Sequence, residues 1–176
     1  MAGGAADCQF WLRRLNLWCV LYELRFGERA SVSAAANFLT NMISGYRGQG
    51  LSMGTMVSGW DNKGPQLYYV DDDGKCLGGK IFSAGSGSTY AFGVIDSKYR
   101  YDMSEEEAIK LGYEAIYHAT HRDCGSGGFV RVYSVIQGAW KRVVAGDNVD
   151  EYHWKLMNSK GLVGDGDETK NERLKI

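Results

Sequence analysis

The amino-acid sequence predicts an α+β protein in which antiparallel sheets lie between layers of helices. Segments with helical periodicity and segments with strand character occur in blocks, in the order helix, helix, strands, helix, helix, strands, helix. The links between neighbouring strands are short and rich in turn residues, which is typical of antiparallel hairpins. Strands and helices do not alternate one by one, so the pattern does not favour a doubly wound parallel sheet.

Two helices are predicted at the beginning of the chain. The first covers Ala5–Leu24 and stops at Gly27; its broad apolar face predicts cover on more than one side. The second follows Ser31, a favourable N-cap residue, and carries one stripe of apolar side chains at helical spacing. We expect this second helix to end at Gly48 and Gly50.

Three strands are expected next, because the apolar residues change from helical to extended periodicity. The links between them, residues 61–65 and 71–74, are rich in Asp and Gly and include the only proline of the chain, all of which favour turns. The strands should therefore form an antiparallel meander. They cover Leu51–Gly59, Gln66–Val70 and Lys80–Ala84.

The second half of the chain predicts two more helices, a hairpin and a last helix. Ser104 and Glu107 have the spacing of a capping box, in which each side chain accepts a hydrogen bond from the other residue's backbone N–H. The helix that they begin carries a stripe of mostly small residues, which allows a neighbouring helix to lie close. The remaining elements are a helix over Ser88–Ser97, strands over Phe129–Ile136 and Ala139–Val144, and a helix over Asn148–Met157.

Length and composition indicate one globular domain over residues 1–157 and a flexible tail over residues 158–176. Lys and Arg number 20 against 21 Asp and Glu, so the net charge of -1 gives no reason to expect a nucleic-acid partner. The apolar segment Cys8–Leu24 is interrupted by polar residues, whereas a membrane span needs about 20 mostly apolar ones. Four scattered cysteines indicate reduced thiols in the cytoplasm or nucleus.

The position of the first helix leads to a further expectation. A helix with the composition of a buried helix begins only a few residues after Met1, with no polar segment before it. We therefore expect that the chain is truncated at its N-terminus relative to the functional protein.

Three short motifs suggest other chemistries but are incomplete. Gly85–Ser88 follows an expected strand and begins a helix, as a nucleotide-phosphate loop does, but its glycine fingerprint is incomplete. His121–Asp123 has the order of the kinase catalytic triplet, yet the metal-binding asparagine that should follow five positions later is absent. Glu114, His118 and His121 could share a helix face as metal ligands, although the sequence nominates no fourth ligand.

The segment Asp123–Gly128 has the strongest chemical character. It lies between a helix and a strand, so the carboxylate of Asp123 is expected near the negative end of the helix dipole. The hydroxyl of Ser126 could compensate as a hydrogen-bond partner, and the glycines allow tight turns against another segment. An ordinary helix C-cap followed by a loop explains these residues equally well.

Taken together, five segments resemble the type-five beta subunit of the eukaryotic proteasome core, the subunit with chymotrypsin-like specificity. The resemblance runs from Met1 to about Met157, and it is specific because the five segments occur in order and at the family's spacing. The segments are Met1–Cys8 (MAGGAADC), Gly50–Met56 (GLSMGTM), Leu67–Asp71 (LYYVD), Gly85–Gly87 (GSG) and Arg122–Gly128 (RDCGSGG).

The resemblance implies an N-terminal-nucleophile hydrolase fold, a four-layer α/β/β/α sandwich with antiparallel sheets, from which this chain would lack the first strands. It also implies a mechanism. In the family, the hydroxyl of an N-terminal threonine attacks the peptide carbonyl, and its own α-amine and an ordered water handle the proton. A backbone N–H stabilises the developing oxyanion. The resemblance implies no cofactor and no metal.

By position, the resemblance assigns roles to nine residues. Gly3 matches the glycine whose N–H forms the oxyanion hole, and Ser86 matches the serine that contacts the amine of the nucleophile. Asp123 and Ser126 match the pair that orders the N-terminus and a water. The wall of the pocket for the substrate's P1 side chain is small and apolar, which fits a large hydrophobic P1 residue. The residues matched to this wall are Met1, Ala2, Ala5, Ala6 and Cys8.

The resemblance also implies an assembly. The chain would join other proteasome alpha and beta subunits in stacked rings and act on unfolded polypeptides in ubiquitin-dependent degradation. The family's threonine, with its tuning lysine and aspartate, precedes the part matched here, so the chain as printed is expected to be inactive. The alternative is a non-catalytic subunit that fills a ring position. Gly125 stands where the family often has tyrosine, which is expected to loosen this loop.

Overall fold

The structure is a computed structural model that describes residues 1–161. Within that range the chain forms six strands and five helices. The strands are β1 (Ala2–Gly3), β2 (Met53–Asp61), β3 (Gly64–Val70), β4 (Cys76–Gly78), β5 (Phe129–Ile136) and β6 (Ala139–Asn148). The helices are α1 (Ala5–Phe26), α2 (Val32–Ser44), α3 (Ser88–Lys98), α4 (Glu105–Arg122) and α5 (Val149–Ser159).

The strands form two antiparallel sheets, and helices cover both of them. The first sheet has the order β1-β2-β3-β4, and the second is the β5-β6 hairpin. Helices α1 and α2 form a layer on the first sheet, while α3 and α4 form a layer on the second through the contact of α4 with β5. The two sheets meet where β2 contacts β5. The predicted α+β architecture with antiparallel sheets between helical layers is confirmed.

The core beneath α1 holds the N-terminal residues in place. Trp11 of α1 packs in one cluster with Leu39 and Ile43 of α2 and with Met53 and Val70 of the first sheet. Each of these five side chains is at most 3% exposed. Because Met53 also lies opposite β1 in the sheet, this cluster fixes the position of β1 relative to α1.

Helices α3 and α4 lie close together because small side chains face each other. Ala91 of α3 and Ala115 and Ala119 of α4 are buried in one cluster, which confirms the close packing predicted from the stripe of small residues. Through Tyr113 and Tyr117, α4 also packs on the second sheet. Helices α3 and α4 and the second sheet therefore form one packed unit.

The predicted helix caps are present. Ser104 Oγ accepts the N–H of Glu107 at 3.3 Å, and the Glu107 carboxylate accepts the N–H of Ser104 at 3.0 Å, which completes the capping box. Ser31 caps α2 by accepting the N–H of Ala34 at 3.1 Å. Gly27 ends α1 in the left-handed conformation, with φ of 72°.

Replacing Ser104 with alanine should lower the free energy of unfolding by about 1 kcal/mol, because N–H groups at the start of α4 lose an acceptor. Urea denaturation of the purified chain, followed by circular dichroism, measures this difference. The matched control is Ser97→Ala, whose exposed hydroxyl donates to the carbonyl of Val94 at 2.8 Å. The control should change the free energy by less than about 0.5 kcal/mol, so equal losses in the two variants would contradict the capping role.

The predicted third strand is wrong. Lys80–Ala84 has no regular structure, and the strand lies earlier, at Cys76–Gly78. The strand ends early because the chain leaves the sheet after Gly79. The N–H of Gly79 still donates to the carbonyl oxygen of Leu67 in β3, at 3.1 Å. The ring of Phe82 folds back against Gly79 and stacks on Tyr69, with ring centroids 5.7 Å apart.

The first two helices also differ from the prediction. The second ends at Ser44, before Gly48, because the chain turns there and places Tyr46 edge-on against Trp11. Within residues 1–161, α1 is fully buried only at Trp11, although the sequence predicts cover on more than one side. The large apolar side chains of α1 that are exposed are Phe10, Leu12, Leu17, Val20, Leu21, Leu24 and Phe26.

The last two elements are longer than predicted. Strand β6 continues to Asn148 rather than Val144, and α5 ends at Ser159 rather than Met157. The predicted tail over residues 158–176 falls mostly on residues 162–176, which lie outside the described residues. The division into a domain and a tail therefore stays a prediction.

Candidate active site

Three of the predicted site residues form one hydrogen-bonded group. The hydroxyl of Ser126 donates to Oδ2 of Asp123 at 2.5 Å, and the hydroxyl of Ser86 donates to the same oxygen at 2.7 Å. The N–H of Gly125 donates to Oδ1 at 3.1 Å. Both carboxylate oxygens are therefore held, and Ser86 is fixed beside Ser126 although it lies 37 residues before Asp123 in the chain.

The packing of α3 on α4 brings these residues together. Asp123 is the C-cap residue of α4, and Ser86 lies in the turn that leads into α3. Gly87, the N-cap residue of α3, is buried at their contact. A Cβ added to Gly87 would lie 3.1 Å from Ser126 Oγ and 3.2 Å from Asp123 Oδ2, so glycine allows the two loops to approach this closely.

The charged form of Asp123 is favoured here although the helix dipole opposes it. The C-terminal end of α4 carries partial negative charge, which disfavours a carboxylate. Hydrogen bonds from Ser126, from Ser86 and from the N–H of Gly125 nevertheless hold the pKa of Asp123 below its ordinary value. The carboxylate can therefore orient two hydroxyl groups at neutral pH. Its charge beside Ser86 also disfavours a bound phosphate, so the geometry does not favour the nucleotide-loop alternative.

The hydrogen bonds to Asp123 should be lost in acid. Its pKa in the folded chain is lowered from the unfolded value of about 3.9. The group therefore contributes stability that is present above the unfolded value and is lost as the pH falls through the folded one. An NMR titration of the Gly125 amide should show this transition in the wild type and not in Asp123→Asn. A midpoint at or above the ordinary value of about 3.9 would contradict the depressed pKa.

The predicted oxyanion glycine is the last residue of β1 and lies just before α1. Gly3 has φ of 132°, a value that favours glycine. The next residue, Gly4, donates its N–H to the carbonyl oxygen of Ser52 at 2.8 Å, at the start of the pairing with β2. Because successive N–H groups of a strand alternate between its two sides, the donation by Gly4 to β2 leads us to expect the N–H of Gly3 on the side away from β2.

One cavity connects Gly3 with the group around Asp123. It has a volume of about 640 Å³ and is lined by Ala2, Gly3, Ser86 and Ser126, among others. Asp123 contacts this space through the two serine hydroxyls that it holds. Gly3 and the two serines line one space, and a backbone N–H and oriented hydroxyls in such a space can bind an amine, a water and a developing negative charge.

The same residues fall within a match to a known family. The profile of the proteasome subunit family matches residues 1–135. The chain belongs to the proteasome subunit family. Its relatives include proteasome subunit beta type-5 of Dictyostelium discoideum, which is 58% identical over 147 residues, or 84% of this chain and 54% of the relative.

Two further proteasome relatives give similar coverage. Beta type-5 of Spinacia oleracea is 56% identical over 155 residues, or 88% of this chain and 57% of the relative. Beta type-8 of Homo sapiens is 56% identical over 153 residues, or 87% of this chain and 55% of the relative. The chain thus spans about half the length of the curated relatives it matches.

Membership of the proteasome family confirms two sequence predictions. The first is the resemblance to a beta subunit of type five. The second is the N-terminal-nucleophile hydrolase fold, with which the mixed helices and antiparallel sheets of the structure agree. The roles of the individual site residues stay predictions.

The residues predicted to line the P1 pocket of this proteasome chain do not all lie together. Met1, Ala5 and Cys8 line a second cavity of about 740 Å³ between α1 and β2. Ala2 lines the first cavity instead. Ala6 is exposed and lines neither of the two. The structure therefore gathers three of the five residues on one wall.

Two residues near Gly3 receive no role from the sequence. Oδ2 of Asp7 accepts the N–H of Ser52 at 3.2 Å, and Ser52 lines the same cavity as Gly3. Asp7 lies in the first turn of α1, where an acidic residue is common because it suits the helix dipole. Because the helix dipole alone explains an acidic residue here, the residue type does not indicate the contact with Ser52, 45 residues later in the chain. The one signal in the sequence is that Asp7 belongs to the segment Met1–Cys8.

The structure gives no support to the metal-site alternative or to a membrane span. Glu114 binds the ammonium group of Lys98 at 2.6 Å. In the part of the chain that the structure describes, no three side chains of His, Cys, Asp or Glu converge on a possible metal position. None of the helices within residues 1–161 is both long and apolar enough to cross a membrane.

Proposed function

We propose that this chain is part of a catalytic beta subunit of the proteasome core, a threonine-type endopeptidase that cleaves after large hydrophobic residues. One observation carries the proposal: the hydrogen-bonded group of Ser86, Asp123 and Ser126 faces the same cavity as Gly3. The beta type-5 and type-8 subunits among the relatives support this class of subunit.

Each residue in this proposal acts on an N-terminal threonine that lies outside residues 1–176. Ser86 donates its own proton to Asp123, so its oxygen remains able to accept a hydrogen bond from the threonine α-amine. Asp123 and Ser126 hold an ordered water near that amine. The threonine hydroxyl passes its proton to the amine as it attacks the peptide carbonyl. The N–H of Gly3 then donates to the oxyanion of the tetrahedral intermediate.

The apolar cavity lined by Met1, Ala5 and Cys8 suits a large hydrophobic P1 side chain. We further propose that the chain assembles with other alpha and beta subunits in stacked rings and acts on unfolded polypeptides in ubiquitin-dependent degradation. We place this activity in the cytoplasm and nucleus, in accordance with four free cysteines. The chemistry requires no cofactor, because an amine, hydroxyls and backbone N–H groups supply every step.

The 176-residue chain alone should be inactive, because the proposed nucleophile is a threonine outside residues 1–176. The test compares this chain, produced alone, with the complex recovered from its source cells through a C-terminal tag added to the gene at its own locus. The complex should hydrolyse fluorogenic peptides with a hydrophobic P1 residue in preference to a basic one, and a peptide epoxyketone should label the tagged polypeptide. The chain alone should do neither.

Each result that departs from this expectation has a different interpretation. If proteasome subunits co-purify but the epoxyketone does not label the tagged polypeptide, the chain is a non-catalytic ring subunit. If no proteasome subunits co-purify, the proposed assembly is wrong. Hydrolysis by the chain alone would show that its nucleophile lies within residues 1–176.

A further inference from the structure

Ser52 is held at both of its backbone polar groups by the segment that begins α1. Its carbonyl oxygen accepts the N–H of Gly4 at 2.8 Å, and its own N–H donates to Oδ2 of Asp7 at 3.2 Å. Ser52 lies directly before β2 in the chain. The two hydrogen bonds therefore tie the start of β2 to the first turn of α1, next to the short pairing of β1 with β2.

Ser52, held by these two hydrogen bonds, lies directly against Gly3. A Cβ on Gly3 would overlap the carbonyl oxygen of Ser52, so the backbones of the two residues lie in close contact and the position of Ser52 limits that of Gly3. Strand β1 consists of Ala2 and Gly3 alone, and such a short strand has few hydrogen bonds of its own to fix its position. An oxyanion donor needs accurate placement, since a displacement of about 1 Å can lower a rate about 100-fold.

We propose that Asp7 is a positioning residue for the N–H of Gly3, through the hydrogen bond that it accepts from Ser52. Asp7 sets the rate of the chemical step in this way without touching the substrate. The inference rests on the proposed function, because that function assigns the N–H of Gly3 to the oxyanion.

The role requires a hydrogen-bond acceptor at this position rather than a negative charge. Asp7 lies in the first turn of α1, close to Gly3, and a carboxylate there opposes the negative charge that develops on the oxyanion. An amide oxygen would hold the N–H of Ser52 without that repulsion. Asparagine should therefore substitute for Asp7. Alanine lacks an acceptor, and glutamate displaces it by one methylene group, so neither should.

The test uses the complex as its source cells make it, with substitutions introduced at the gene's own locus. Steady-state hydrolysis of a peptide with a hydrophobic P1 residue gives kcat and KM. Binding of a peptide boronate, which forms a tetrahedral adduct, reports on the oxyanion site. Asp7→Ala and Asp7→Glu should lower kcat and boronate affinity about tenfold or more, with KM within about twofold.

Two further variants complete the comparison. Asp7→Asn should restore kcat to within about threefold of the wild type, because the acceptor is kept. Glu106→Ala is the matched control: Glu106 is also an acidic residue in the first turn of a helix, but on α4. Its kcat and KM should match those of the wild type.

Several outcomes would overturn the inference. These are wild-type kcat in Asp7→Ala or Asp7→Glu, a rise in KM alone, or a loss in Asp7→Asn as large as that in Asp7→Ala. If Asp7→Ala does not assemble, the comparison of glutamate with asparagine decides the question. Failure of the proposed function is recognised separately, because an epoxyketone would then not label the wild-type subunit.

Discussion

Replacing Gly3 with alanine should lower kcat for peptides with a hydrophobic P1 residue about 100-fold. The φ of 132° is a value that residues with a side chain rarely adopt. The added Cβ would also overlap the carbonyl oxygen of Ser52 and lie 2.8 Å from the Cα of Met53. The backbone must therefore move, and the N–H that we assign to the oxyanion moves with it. Steady-state kinetics of the complex purified from cells that carry the substitution measure the loss.

The neighbouring glycine supplies the matched control. Gly4 has φ of -61°, which any residue adopts, and the atom nearest to an added Cβ is Oδ2 of Asp7 at 3.4 Å. Gly4→Ala should therefore keep kcat within about threefold of the wild type. Equal losses in the two variants would mean that the segment of Gly3 and Gly4 as a whole, and not the placement of Gly3, limits activity. Wild-type activity in Gly3→Ala would refute the role of Gly3.

Replacing Leu39 with alanine should lower the free energy of unfolding by about 2–5 kcal/mol. Leu39 is 1% exposed and packs in the same cluster as Trp11 and Met53, so the substitution leaves a cavity beneath α1. The loss should be near the upper end of that range if α1 and β2 cannot close the cavity. Urea denaturation followed by tryptophan fluorescence is a suitable measurement, because Trp11 lies in the cluster itself.

A second leucine distinguishes loss of packing from loss of helix propensity. Leu24 also lies in a helix but is 77% exposed. Leu24→Ala should change the free energy of unfolding by less than about 0.5 kcal/mol, as for a surface substitution. If Leu39→Ala cost no more than this control, the cluster around Trp11 would not be the core that holds the N-terminal segment.

The parts of the fold that the sequence predicts correctly are set by neighbouring residues. The capping box of Ser104 and Glu107 and the left-handed stop at Gly27 involve contacts within a few positions, so a local pattern is sufficient. The hydrogen bond of Ser126 to Asp123 is of the same kind, with a separation of three residues. The antiparallel meander is predictable because short turns leave no other way to pair its strands.

The parts that the sequence does not predict depend on contacts between distant segments. Ser86 meets Asp123 only because α3 packs on α4, and residue types alone do not suggest this pair; the family resemblance does. Strand β1 has two residues and exists because β2 lies beside it. Phe82 has the apolar character of a strand residue, but its stacking on Tyr69 takes residues 80–84 out of the sheet.

The most direct test of the central claim is the position of the covalent adduct that a peptide epoxyketone forms. The complex is purified through a C-terminal tag added to the gene at its own locus and is treated with an epoxyketone that has leucine at P1. The intact tagged polypeptide is then analysed by mass spectrometry and fragmentation. We predict one adduct on an N-terminal threonine of the polypeptide that also contains the segment Met1–Cys8, and slower labelling in Gly3→Ala. Adducts found only on other subunits of the complex would contradict the account.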